Sequence, residues 1–195
     1  MGSARHRRRR SRCAAWLLLA LLLASPVRGG PGQTEAVAQP NEYEVKAAFL
    51  YHFAQLVTWP PDAGKPDGGF VVGVLGPDPF GGVLEPVVLG RTVRDRPIRV
   101  VHAETVSGLG AVPQIVVVGA EEARGVRRTL AALEGRPILT VSSVPGFAHA
   151  GGMIEFRITP DHRVGFDVNL RAVERAGLRM SSQLLRIARV VEGQP

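Results

Sequence analysis

Two short apolar runs without alternation constrain the fold of this chain most strongly. They are Phe-Val-Val-Gly-Val-Leu at 70–75 and Ile-Val-Val-Val at 115–118. A half-exposed strand alternates apolar and polar residues, whereas a strand of a parallel sheet is apolar on both faces because helices cover both. The runs are also shorter than a typical buried helix. They therefore predict strands of a sheet that lies between two helix layers.

Helical and extended segments alternate around these two runs. Asn41 is a favourable N-cap, and the helix after it must end near Thr58 or Trp59 because two prolines follow. Further strands are predicted at 98–102, 138–142, 153–158 and 164–169, and further helices at 78–88, 121–134 and 170–191, the last with a break at Gly177. Asp78 is the expected cap of the second helix, and Thr-Pro-Asp-His between the last two strands indicates a hairpin. The pattern predicts an α/β fold, a three-layer sandwich on a mixed, largely parallel sheet with a C-terminal β-hairpin and helix.

The first 30 residues have the composition of a signal peptide. A cationic stretch at 5–12 precedes an apolar run of 11 residues at 14–24, and small or turn-forming residues follow at 25–32. A membrane-spanning helix needs about 20 residues, so a cleavable signal is favoured over an uncleaved anchor, which stays open. Cleavage is expected near Gly30 or as late as Ala38, with 31–40 as a disordered entry segment and 41–192 as a single domain. This predicts a periplasmic protein.

The leader also contains the whole charge excess and the only cysteine. The chain has a net charge of +7, but seven of its 24 basic residues lie in the first 30 positions, which contain no acid; 17 basic and 17 acidic residues remain. A nearly neutral domain lacks the basic surface that nucleic-acid binding requires, so we expect no nucleic-acid partner. Cys13 is the single cysteine, so the mature chain has neither a disulfide nor thiol chemistry.

No catalytic, metal or cofactor motif is evident. The serines at 142 and 143 lack a Gly-x-Ser-x-Gly context, and the histidines at 52, 102, 149 and 162 are too scattered to share a metal. The glycines at 73–81 do not match Gly-x-Gly-x-x-Gly, and Asp78 would place a carboxylate where a phosphate should bind. We therefore expect a non-enzyme without cofactor or metal. A hydrolase remains a weak alternative, with these candidate residues: Ser142, Asp161, His162 and Asp167.

Three groups of residues are candidates for a partner or ligand surface. The first helix carries more aromatic residues than one stripe can bury, so that part of this group is expected in the core and part on a contact surface. Glu155 is expected to point outward from a strand whose other face is apolar, and the last helix is rich in arginine. The candidate surface consists of Tyr51, His52, Phe53, Trp59, Glu155, Arg175 and Arg179.

Several blocks of sequence resemble one known family. Residues 43–60 begin Tyr-Glu-Val-Lys-Ala-Ala-Phe and end Thr-Trp-Pro, residues 139–156 run from Leu-Thr-Val to Gly-Gly-Met-Ile-Glu-Phe, and residues 169–188 contain Ala-Gly-Leu and Ser-Ser-Gln-Leu-Leu-Arg-Ile-Ala. With Gly-Pro-Asp-Pro-Phe at 76–80, these blocks occur in the order found in the YfiR-like family and span nearly all of the chain after residue 40. The chain therefore resembles that family as an ordered set of blocks.

The resemblance implies a regulatory function. Family members are periplasmic repressors that bind the periplasmic portion of an inner-membrane diguanylate cyclase until an outer-membrane lipoprotein sequesters them, and others serve receptors such as sensor kinases. The disulfides of well-known members have no counterpart in this cysteine-free mature chain. A homodimer is also plausible. The alternative is a periplasmic small-molecule sensor or carrier whose pocket includes Tyr51 and Trp59.

Overall fold

The described chain begins with helix α1, Glu42–Leu56, which starts at a complete capping box. Asn41 Oδ1 accepts a hydrogen bond from the Glu44 amide at 2.9 Å, and the Glu44 carboxylate accepts one from the Asn41 amide at 3.0 Å. The helix ends two residues before the predicted Thr58, because Val57 is already extended and enters a strand. The capping box confirms Asn41 as the predicted N-cap of α1.

The computed structural model describes residues 41–61, 63, 68–110, 112–119 and 123–193. The predicted signal peptide, the entry segment and Cys13 lie outside the described residues. The described residues belong to one compact unit. None of the helices in the described ranges is long and apolar enough to cross a membrane.

Ten strands and five α-helices follow one another along the described residues. After α1, the helices are α2 Leu84–Val88, α3 Ala123–Leu133, α4 Leu170–Arg175 and α5 Ser182–Leu185, with a 3₁₀ turn at Val106–Leu109. The strands are β1 Val57–Thr58, β2 Phe70–Leu75, β3 Thr92–Val93, β4 Arg96–Ala103, β5 Ile115–Val118, β6 Leu139–Ser142, β7 Ile154–Ile158, β8 Val164–Asn169, β9 Arg179–Met180 and β10 Arg189–Val191.

Eight of these strands form one sheet in the order β10-β8-β7-β6-β5-β2-β4-β3. Neighbours are parallel except for the β7–β8 hairpin and the β3–β4 pair, which are antiparallel. Strands β1 and β9 pair separately, also in antiparallel orientation. The mixed, largely parallel sheet with a hairpin near its C-terminal end is confirmed.

Strand β5 shows directly why the sheet lies between two layers. Ile115 and Val117 belong to one core cluster, together with buried residues of α1, α2, α4 and α5, while Val116 and Val118 belong to a second cluster with buried residues of α3 and the 3₁₀ turn. Successive strand residues point to opposite faces, so both faces of β5 are covered. The unbroken apolar run therefore predicted the three-layer sandwich for the correct physical reason.

The predicted helix over 170–191 breaks at Gly177 as expected, but the prediction that the chain is helical from there to Val191 is wrong. Helix α4 already ends at Arg175, because Gly177 adopts a left-handed conformation with φ +70° and its amide donates to the Glu174 carbonyl. The chain then forms β9, the short helix α5 capped by Ser181, and finally β10. Strand β10 pairs with β8, and its two valines suit an extended backbone.

The predicted cap at Asp78 is also wrong. The Asp78 carboxylate accepts hydrogen bonds from the amides of Phe80 at 2.9 Å and Gly82 at 2.6 Å, within a turn. Helix α2 begins only after Gly81 and Gly82, which both have positive φ, and its N-cap residue Val83 makes no side-chain hydrogen bond to the helix. The carboxylate therefore stabilises the turn that precedes the helix.

Phe53 of α1 is the most informative core residue to remove. It is completely buried, and its ring centroid lies 5.7 Å from that of Phe156 and 5.0 Å from that of Phe166, on β7 and β8. We expect Phe53→Ala to lower the free energy of unfolding by about 3–5 kcal/mol, because it leaves a cavity between helix and sheet. Urea unfolding followed by circular dichroism measures this.

The matched control is Leu89→Ala. Leu89 is 83% exposed, so this substitution should change the free energy of unfolding by no more than about 0.5 kcal/mol. A loss of less than about 1 kcal/mol for Phe53→Ala would contradict the described packing of α1 on the hairpin.

Candidate functional site

The candidate residues on α1 and just after β1 divide into an accessible pair and a buried pair. Tyr51 is half-buried and His52 exposed, whereas Phe53 is in the core. Trp59 is 8% exposed; its indole Nε1 donates to the Gln114 carbonyl at 3.0 Å. Only Tyr51 and His52 therefore present side chains to a partner directly, while Phe53 and Trp59 fix the helix in place.

Tyr51 is anchored to the edge of the sheet. The Gln55 side-chain amide donates to the Tyr51 hydroxyl at 3.0 Å and to the Thr92 carbonyl at 2.7 Å, and the Arg91 guanidinium lies 4.6 Å from the centre of the Tyr51 ring. The cation and the ring attract each other. This part of the surface is therefore ordered by contacts between α1 and the residues around β3.

The proposed pocket of Tyr51 and Trp59 is not one cavity in the part of the chain that the structure describes. Trp59 lines a hollow of about 120 Å³ together with Phe70, Val93, Arg94 and others, and Tyr51 is not among its lining residues. Pockets for drug-sized ligands usually measure about 300–1,000 Å³. As described, the hollow at Trp59 is therefore too small for such a ligand.

Glu155 does not point outward to solvent as expected. It is 8% exposed, and its two carboxylate oxygens accept hydrogen bonds from the amides of Gly146 at 2.9 Å and Ala148 at 3.0 Å. Sequence alternation placed Glu155 correctly on the face opposite Ile154 and Phe156, but it could not show that the loop at 143–152 folds back over this face. Glu155 therefore holds that loop against the sheet.

Arg175 and Arg179 are both exposed but belong to different surfaces. Arg179 lies in β9 opposite Thr58 of β1, next to the end of α1. Arg175 ends α4 and lines a separate cleft of about 610 Å³. The structure therefore places Arg179 near the end of α1 and Arg175 at this cleft, and the candidate surface as a whole stays a prediction.

The cleft contains arginines that the sequence analysis did not identify. Arg127 on α3 and Arg136 in the turn after α3 line it together with Arg175. In sequence, Arg127 is nine positions before Arg136, and Arg175 is much further along the chain. The fold brings them to one cleft because α3 and α4 approach the amino end of β6 from opposite layers. The basic face of α3 was the only available signal.

A second crevice lies where parallel α/β sheets commonly bind ligands, outside the carboxyl ends of β2, β5 and β6. Here Gly119 packs so closely on the loop after β2 that an added Cβ would lie 1.8 Å from the Pro77 carbonyl oxygen. Asp78 already occupies the amides that a phosphate would need. This crevice is therefore shaped by the turn that Asp78 stabilises.

The described residues do not assemble the candidate hydrolase set. Ser142 Oγ donates to the Val118 carbonyl at 2.6 Å, and Asp161 pairs with Arg163 in the exposed hairpin turn, where His162 adopts φ 58°. Among the described residues no group of three or more His, Cys, Asp or Glu side chains could hold a metal ion. The Ser142 and Asp161 side chains therefore have structural partners, and the candidates do not form a common site.

Asp167 is the most strongly partnered carboxylate of the described chain. It is 2% exposed and accepts hydrogen bonds from Arg157 Nε at 2.7 Å and Arg189 Nε at 2.8 Å, with a second contact to the Arg189 guanidinium. Burial acts to raise its pKa, but the hydrogen bonds from Arg189 and Arg157 outweigh burial, so that the pKa of Asp167 lies below its ordinary value of 3.8. Asp167 thereby joins the last strand to β8.

The lowered pKa makes the stabilising effect of Asp167 dependent on pH. A carboxylate with a lowered pKa in the folded state stabilises the protein fully above its ordinary value, and this contribution is lost as the pH falls through the lowered value. We expect Asp167→Asn to lower the free energy of unfolding by about 1–3 kcal/mol at neutral pH and to reduce its dependence on pH below about 4. Thermal unfolding across a pH series measures both effects.

Asp161→Asn is the matched control, because Asp161 also pairs with an arginine but lies at the surface. Its melting temperature at neutral pH should equal that of the wild type. An Asp167→Asn variant with an unchanged melting temperature and unchanged acid dependence would contradict the role assigned to this ion pair.

Comparison with known proteins places this fold in a family. The family model described as YfiR/HmsC-like matches residues 43–189, from the first turn of α1 to the start of β10. No curated protein matches the chain significantly. The family match contains all three sequence blocks that suggested the resemblance. The chain is a member of the YfiR/HmsC-like family.

Proposed function

We propose that this protein is a non-catalytic periplasmic regulator that binds the periplasmic portion of a membrane-bound signalling protein and restrains it. The receptor is a diguanylate cyclase or a sensor kinase. The observation that carries this proposal is the family match over residues 43–189, because YfiR-like proteins regulate diguanylate cyclases from the periplasm. The N-terminal leader supports the same location.

The partners of the polar side chains support a binding role over catalysis. Within the described residues, Glu155 and Asp167 are used to hold a loop and a strand, and Ser142 binds a neighbouring carbonyl. A catalytic group must be free to exchange a proton or attack a substrate. These three buried groups are committed to structure.

The mechanism is a shift between receptor states. A regulator restrains its receptor by binding the inactive state more tightly than the active one, and an equal affinity for both states has no effect. Moving a receptor from about 99% active to about 99% inactive requires a roughly 10⁴-fold preference. An outer-membrane lipoprotein that sequesters the regulator would return the receptor to its active state without touching the receptor.

Deletion of the gene in its native host tests this function. We expect the cellular cyclic-di-GMP concentration to rise, or the phosphorylation output of a sensor kinase to increase, because the receptor is released. Cyclic-di-GMP is measured by mass spectrometry and kinase output with a reporter. Wild-type protein should restore restraint, whereas a version without residues 1–30 should not, because it stays in the cytoplasm. Unchanged values of both outputs would contradict the proposal.

The second candidate function is a periplasmic small-molecule sensor or carrier. The observation in its favour is the 610 Å³ cleft, which is within the size range of ligand pockets. A metabolite at 100 times its dissociation constant stabilises the folded state by about 2.7 kcal/mol. A metabolite panel in a thermal-shift assay should therefore leave the melting temperature unchanged if the protein binds only a receptor. A saturable increase would favour the sensor.

A further inference from the structure

A groove runs along α3 and is built from two adjoining hollows. The larger is the cleft of about 610 Å³, and the smaller, of about 130 Å³, adjoins it at Arg127 and Ala150, which line both. We call them together the α3 groove. Its lining residues used in the argument are Arg127, Arg136, Arg175, Leu130, Met153 and Phe147.

The rim of the α3 groove is positively charged. Arg127, Arg136 and Arg175 are exposed, and none of them has a carboxylate within 4 Å among the described residues. Glu134 is the one acidic residue among the lining residues of both hollows. Guanidinium groups form two parallel hydrogen bonds with a carboxylate, so that an unpaired set of them favours an acidic ligand.

The floor of the α3 groove is apolar. Leu130 and Met153 line the larger hollow, and the smaller one is lined by Val126, Val144 and Phe147. An extended chain with acidic residues at the rim and apolar side chains between them would match both parts. Helix α3 has 11 residues and is therefore about 16 Å long, which corresponds to about five residues of extended chain.

The wall of the groove opposite α3 is held in place. Glu155 binds the amides of Gly146 and Ala148 in the loop at 143–152. A Cβ at Gly152 would lie 2.1 Å from the Phe147 ring, so that this ring packs directly on the backbone. A preformed wall reduces the entropy lost when a ligand binds.

We propose that the α3 groove binds an acidic, partly apolar segment in the periplasmic portion of the receptor. The proposal rests on the proposed regulatory function and names the surface that performs it. Charge complementarity selects the acidic segment, and a groove whose lining extends along α3 favours a peptide chain over an enclosed small molecule.

A peptide-binding measurement tests the chemistry of the groove. The probe is a fluorescein-labelled peptide of sequence Glu-Leu-Asp-Glu-Leu-Asp-Glu, and binding to the purified protein is followed by fluorescence anisotropy. We expect saturable binding that weakens with salt, and an affinity at least tenfold lower for the double variant Arg136→Glu/Arg175→Glu. A peptide with lysine in place of every acidic residue should not bind.

The control variant is Arg99→Glu/Arg186→Glu, which changes the net charge equally at two exposed positions outside the groove. It should bind the acidic peptide within about twofold of the wild type, since a distant surface charge mainly affects the association rate. Circular dichroism and the melting temperature establish that both variants are folded. Equal affinities of the two variants, or no binding by the wild type, would overturn the proposal.

A second measurement in cells separates this inference from the proposed function. If gene deletion releases the receptor, the control variant should restore restraint and the groove variant should not. If both variants restore restraint, the groove assignment is overturned while the regulatory function stands. If deletion of the gene changes neither cyclic-di-GMP nor kinase output, the regulatory function itself is contradicted. The wild-type protein could also prove to be a dimer that the groove variant, but not the control variant, dissociates. The groove would then bind a second copy of this chain, and the proposal would be overturned.

Discussion

The described structure depends on hydrogen bonds and ion pairs that satisfy buried polar side chains on one face of the sheet. This is the face on the α3 side of strands β7, β8 and β10. Helix α3 and the 3₁₀ turn cover the central strands there, but among the described residues a row of polar side chains crosses the remaining strands, formed by Ser142, Glu155, Asp167 and Arg189 in successive register. Buried carboxylates are tolerated only when hydrogen bonds or ion pairs satisfy them. Glu155 obtains its partners from the loop at 143–152, and Asp167 obtains them from Arg157 and Arg189.

These two carboxylates connect the core to the candidate surface. The loop held by Glu155 forms one wall of the α3 groove, and the strand held by Asp167 closes one edge of the sheet. The opposite face is apolar and packs on α1, so the β7, β8 and β10 part of the sheet has one face that is fixed by hydrophobic burial and one that is fixed by polar pairing. A rigid surface whose arginines have no carboxylate within 4 Å among the described residues suits a binding protein, because such a surface loses little entropy when a partner docks.

The sequence predicted the fold well wherever local rules coincide with tertiary packing. The unbroken run at 115–118 indicated a strand covered on both faces, and Asn41 with Glu44 marked the start of α1, since both signals are local. It located the break at Gly177 but failed beyond it, because the pairing of β9 with β1 and of Arg189 with β8 overrides an apparently helical pattern. The α3 groove could not be predicted, since Arg136 and Arg175 become neighbours of one cleft only through the sheet topology. Likewise, the burial of Glu155 depends on a loop that returns to the sheet.

Site-specific photo-crosslinking in the native host tests the central claim most directly. A benzophenone amino acid at Ala131, an exposed position in the groove, would react with whatever occupies the groove in living cells, and the same group at the exposed Leu89 is the control. The account predicts an adduct specific to Ala131 whose mass spectrum identifies the periplasmic portion of a membrane-bound diguanylate cyclase or sensor kinase. An Ala131 adduct with a different class of protein, or the absence of any such adduct while the regulated output responds to the gene, would contradict it.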